Sequence, residues 1–77
     1  MITNLANVKP GNKAKVVRIR GGLGMRQRLS CLGIHPGDLL TVQASGIMQG
    51  PILVIIHGNK VALGRGVASN VLVEVDS

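Results

Sequence analysis

The stretch RLSCLGIHPGD, residues 28–38, holds the only cysteine of the chain and one of its two histidines. Cys31 and His35 stand four apart, a spacing that brings two metal ligands together if one helix carries both. The residues between them argue otherwise. Met25, Leu29 and Leu32 fall at i, i+4 and i+7, the apolar stripe of a short helix. Gly33 sits where a left-handed C′ residue belongs, which makes Ile34 the C″ residue and pairs it with Leu29, the hydrophobic contact of a Schellman cap. Pro36 blocks any continuation. The helix is therefore expected over residues 23–32, with His35 beyond its end and out of register with Cys31. A structural zinc site also needs four ligands, commonly with a close Cys or His pair. His57, Asp38 and two distant acids supply no such spacing, so no metal site is expected. Cys31, His35 and His57 offer no more than a weak, adventitious hold on zinc or iron.

Outside this stretch, turn chemistry divides the chain. KPGN (residues 9–12) and HPGD (residues 35–38) set Pro-Gly at the centre of a four-residue turn, the pattern of type II. HGNK (residues 57–60) places Gly-Asn between two apolar runs and predicts a hairpin. SGIMQGP (residues 45–51) reads as a longer loop, with Gly50-Pro51 opening the next strand. Five strands are expected between the turns: 14–20, 39–44, 52–57, 60–63 and 71–75. In the first, Ala14 and Val16 share one phase and Val17 and Ile19 the other, so a bulge near Val16-Val17 is expected. A second helical turn is placed at residues 65–69. Five short strands with brief connections describe a mainly β, small and strongly bent antiparallel barrel.

The 77 residues make one domain, 1–77, with an aliphatic core, because Phe, Tyr and Trp are absent. The longest apolar run, ILVII (residues 52–56), is far too short to cross a bilayer, and the N-terminus has no signal-peptide pattern, so a cytoplasmic protein is expected. Both faces of ILVII are apolar. The face turned away from the barrel must be covered by the short helix or be left for a partner or self-association.

Nine basic residues against three acidic ones give +6, a charge suited to an acidic protein, a nucleic acid or an anionic membrane surface. Single-strand binding by small barrels uses aromatic stacking over a basic groove; this chain has the charge without the platform. GGLGMR (residues 21–26) lacks the ending of a phosphate loop. No acid is placed to orient either histidine beside Cys31, so no catalytic role is assigned. Arg18, Arg20, Arg26 and Arg28 cluster around the glycine turn with Leu23 and Met25, and these six residues are the candidate partner-binding surface.

With helix, cap and turns in place, the chain resembles the ferrous iron transport protein A (FeoA) family of small SH3-like barrels. The blocks that carry the resemblance are RLSCLGIHPGDLLTV, GPILVII, VALGRGVASNVLVEV and the entry NVKPGNKAKVVRI. The resemblance implies a five-stranded SH3-like barrel without enzymatic activity or cofactor. It further implies a cytoplasmic accessory of the ferrous-iron permease FeoB, whose N-terminal region is a GTPase, reaching the membrane only through that partner. The same domain type resembles the C-terminal module of iron-dependent repressors. That module and a basic nucleic-acid-binding barrel are the alternatives.

Overall fold

The computed structural model describes residues 1–45 and 50–76. Elements follow in the order β1 (Ile2–Asn4), a 3₁₀ turn (Leu5–Asn7), β2 (Lys13–Ile19), α1 (Leu23–Cys31), β3 (Leu39–Ser45), β4 (Ile52–Ile56), β5 (Asn59–Leu63), α2 (Arg65–Ala68) and β6 (Val71–Glu74). The strands form one antiparallel sheet in the order β1-β6-β2-β3-β4-β5, bent into an SH3-like barrel. There are six strands rather than five. The additional one, β1, is three residues long and exists through pairing with β6, Thr3 opposite Val73.

Both Pro-Gly turns form as expected. Gly11 and Gly37 have φ of +93° and +95°, and the closing bonds Asn12 N–H to Lys9 C=O and Asp38 N–H to His35 C=O are 3.2 and 3.1 Å. The hairpin turn lies one residue earlier than the Gly-Asn pattern predicts. Ile56 pairs with Asn59, so the two loop residues are His57 and Gly58, both with positive φ, at 51° and 77°. Two positive values in a two-residue loop match the twist of the flanking strands. Of the loop expected at residues 45–51, positions 46–49 lie outside the described residues.

The helix end is a Schellman cap. The Ile34 N–H reaches the Leu29 C=O at 2.9 Å, the Gly33 N–H reaches the Ser30 C=O at 2.9 Å, and Gly33 has φ +83°. Leu29 and Ile34 are both fully buried. Leu32 is not the core residue its spacing implied: it is the C-cap, 41% exposed. The cap folds Ile34 back toward Leu29, and Ile34 occupies the buried position in its place.

The bulge in β2 is present. Val16 pairs with Val73 and Arg18 with Leu72, which leaves Val17 as the extra residue. Unbroken alternation from Ala14 and Val16 would carry Arg18 inward. The bulge absorbs one position, so Ile19 is buried and Arg18 and Arg20 face solvent. Val17 joins the surface at 44% exposure, against the expectation that it leads a second inward phase. A second shift between Val42 and Ala44 makes Gln43 the extra residue of β3.

The core is aliphatic throughout, and no polar or charged residue is buried among the described residues. From β4, Ile52, Val54 and Ile56 point in, while Leu53 and Ile55 are half-buried. On the outer face Leu53 lies between Ala44 and Ala62, and Ile55 between Thr41 and Lys60. Cross-strand neighbours therefore flank this face, and it forms no large exposed patch.

Candidate functional site

Two open clefts adjoin where β2 runs into α1. One, of about 330 Å³, is lined by Val17, Arg18, Arg20 and Gly21. The other, of about 430 Å³, is lined by Leu23, Gln27, Ser30, Ile34 and His35. Both are also walled by Ile19, Arg26 and Pro36, which makes them one groove with a basic half and an apolar half. The bulge and the cap build its floor, since they bury Ile19 and Ile34 respectively. Leu23, 64% exposed, stands on the rim. Arg20 is held in place twice: its N–H donates to the Asn70 C=O at 2.7 Å, and its Nη2 donates to the Ser69 C=O at 3.2 Å.

Of the six candidate contact residues, the structure brings Arg18, Arg20, Leu23 and Arg26 to this groove. Helical rotation decides the remainder. Leu23, Arg26, Gln27 and Ser30 lie on one flank of α1, whereas Arg28 is about 200° around the axis from Arg26. Met25 is half-buried and packs against the core. The sequence reading missed the floor residues Ile19, Ile34 and Pro36. The signal for Ile34 was available, because a C″ residue returns to its own helix.

Against the expectation that no acid orients either histidine, Asp38 joins the two. His35 Nδ1 lies 3.4 Å from Asp38 Oδ2, and His57 Nε2 lies 3.3 Å from Asp38 Oδ1. The His35 backbone N–H donates to Oδ2 at 2.8 Å, and Ser30 Oγ shares a hydrogen bond with His35 Nε2 at 2.9 Å. The backbone N–H of His35 does most to hold the Asp38 carboxyl below its ordinary value; desolvation, the next largest effect, opposes it, and the imidazoles of His57 and His35 lower it further. The cluster ties the turn after α1 to the β4–β5 hairpin. Among the described residues no group of three His, Cys, Asp or Glu side chains is placed to hold a metal ion. Cys31 is an exposed free thiol.

Charge is divided across the surface. Glu74 and Asp76 share a cleft with Lys13 and Lys15, and Asp38 is engaged by the histidines. Among the described residues no carboxylate lies within 4 Å of Arg18, Arg20 or Arg26. No helix among them is long and apolar enough to cross a membrane.

Barrel, capped helix and groove together define a small SH3-like domain with a surface for contacts. Its relatives are specific. The FeoA domain model matches residues 3–75. A protein of Methanocaldococcus jannaschii named Fe(2+) transport protein A is 37% identical over 70 residues, covering 91% of this chain and 83% of that protein. The chain belongs to the FeoA family, whose business is ferrous iron transport. A crystal structure of an iron uptake regulatory protein (FeoA) superposes with a TM-score of 0.91 at 37% identity, covering 99% of both chains. A FeoA-like protein from Clostridium acetobutylicum gives 0.87 at 27% identity, over 96% of this chain and 86% of that one. A manganese-dependent transcriptional repressor bound to manganese gives 0.90 at 27% identity, covering 97% of this chain and 37% of the repressor.

Proposed function

We propose that this protein is a non-enzymatic accessory of ferrous iron uptake that works in the cytoplasm by binding the GTPase-bearing part of the permease FeoB. The observation that carries this reading is the FeoA match across residues 3–75. Two features of the surface support it. The groove of Arg18, Arg20, Leu23 and Arg26 offers an apolar seat with a donor-rich rim, the anatomy of a contact site. No side chain cluster among the described residues pairs Cys31 with a base, which favours binding over catalysis.

The test is affinity capture of the permease from bacterial membranes, with and without guanine nucleotide. The wild-type chain should retain it, and Leu23→Glu combined with Arg26→Glu should not. Leu39→Glu, at an exposed leucine beside Lys13 and Glu74, is the surface control and should capture normally. Capture that survives the double substitution would move the contact away from the groove. No capture by the wild-type chain under either nucleotide condition would overturn the reading.

A further inference from the structure

The groove has a chemical polarity that restricts what can occupy it. One half presents three arginines and no acid. The other presents Pro36, Leu23 and the edge of Ile19, with the buried Ile34 beneath them. We propose that the groove recognises a peptide segment in which a bulky apolar side chain is flanked by carboxylates. The apolar side chain seats against Pro36, Leu23 and the edge of Ile19, over the buried Ile34, and the carboxylates pair with Arg18, Arg20 and Arg26. This inference rests on the reading that the chain acts by binding a partner protein, and it names the chemistry of that partner's docking segment.

Three observations carry it. All three acidic side chains of the chain lie elsewhere, Asp38 between the histidines and Glu74 and Asp76 in the cleft that Lys13 and Lys15 also line. Among the described residues no carboxylate therefore neutralises the groove arginines. Guanidinium forks match carboxylates bidentately, and such charge-assisted pairs are stronger than neutral hydrogen bonds. Arg20, clipped to Ser69 through one nitrogen, keeps its other donors free in a fixed position, so less ordering is needed on binding. Finally, Arg26 walls both clefts, so one residue touches the apolar and acidic parts of the same segment. Phosphate-rich strands are less well matched. They would satisfy the arginines, but the apolar half carries no aromatic ring on which a base could stack.

Amide chemical shifts of isotope-labelled protein read the interaction even when it is weak. The probes are three hexapeptides: a Leu-Phe pair flanked by glutamates, the same peptide with glutamines, and the same peptide with Leu-Phe replaced by alanines. At low salt, the glutamate peptide is expected to shift the amides of Arg18, Ile19, Arg20, Leu23, Arg26 and Ile34. Each of the other two peptides should bind about tenfold more weakly or worse. Arg26→Glu should weaken the glutamate peptide at least about tenfold while leaving the glutamine peptide little changed. If Arg26→Glu does not fold, Arg18→Glu, at an exposed strand position, makes the same test. No shifts at millimolar peptide, equal binding of the glutamine peptide, or shifts centred elsewhere would overturn the proposal. So would a short single-stranded oligonucleotide that displaces the peptide from the same amides, which would assign the surface to nucleic acid. The peptides are not taken from any permease, so the two readings fail separately. Peptide binding without permease capture refutes the choice of partner, and capture without peptide binding refutes the docking chemistry.

Discussion

Replacing Gly33 by alanine isolates the energetic value of the helix cap. Gly33 has φ +83°, and a Cβ built there meets no atom within 4 Å. The methyl group therefore causes no clash with its surroundings, and what remains is the left-handed backbone penalty of an L-residue, about 1–2 kcal/mol. In a domain of 77 residues each kcal/mol lowers Tm by about 4–8 °C. Gly33→Ala should therefore melt at least about 4–8 °C below wild type. Asparagine tolerates the left-handed region better, so Gly33→Asn should fall between the two. Cys31, two positions away and exposed, should accept alanine with a change within about 0.5 kcal/mol. Thermal melts by circular dichroism of the four proteins give the order. Wild-type melting of Gly33→Ala, or a Cys31→Ala variant less stable than Gly33→Ala, would refute the cap as the reason this segment folds as it does.

Asp38 has a folded pKa below its ordinary value, so its stabilisation is present above the usual carboxylate range and is lost as pH falls through the lowered folded value. Asp38→Asn should therefore melt below wild type at neutral pH, and the gap should close below about pH 4; a gap that stays as wide once the carboxylate is protonated would contradict the assignment. Treatment with a chelator should leave both circular dichroism and Tm unchanged, and loss of structure would mean that a metal holds the fold. Binding to short single or double strands, measured by fluorescence anisotropy, should be weak, indifferent to sequence and largely gone near physiological salt. Salt-resistant or sequence-selective binding would make nucleic acid the preferred partner.

What the sequence displays of this fold is its local chemistry. The Schellman cap, both Pro-Gly turns, the β2 bulge and the second helical turn are each written in a few adjacent residues. What it hides depends on distant pairing. The segment ITN of β1 has no pattern of its own and becomes a strand because Val73 lies opposite Thr3. Asp38 meets His57 because β3 and β4 pair with Leu40 opposite Ile56, which brings the residues just beyond those ends together. The hairpin loop was displaced because the Gly-Asn pattern assumes that glycine opens the turn, whereas His57 takes the first positive φ. The candidate site was visible as a cluster of arginines around glycines. Which arginines share a face was not, because rotation about the α1 axis separates Arg26 from Arg28.

The groove and the core are built from the same residues, and this limits how its function can be probed. Ile34 is buried because the cap returns it to Leu29, and Ile19 is buried because the bulge shifts the phase of β2. Truncating either would remove groove floor and core together, at about 2–5 kcal/mol for a large aliphatic reduced to alanine. A domain of this size has only about 0.05–0.15 kcal/mol per residue to lose, so a floor variant that fails to bind reports chiefly on folding. The rim is separable. Leu23 is mostly exposed and Arg18 and Arg26 are exposed, so substitutions there alter the recognition surface while leaving the buried cluster intact. Variants at those positions can therefore attribute a loss of capture to contact rather than to fold.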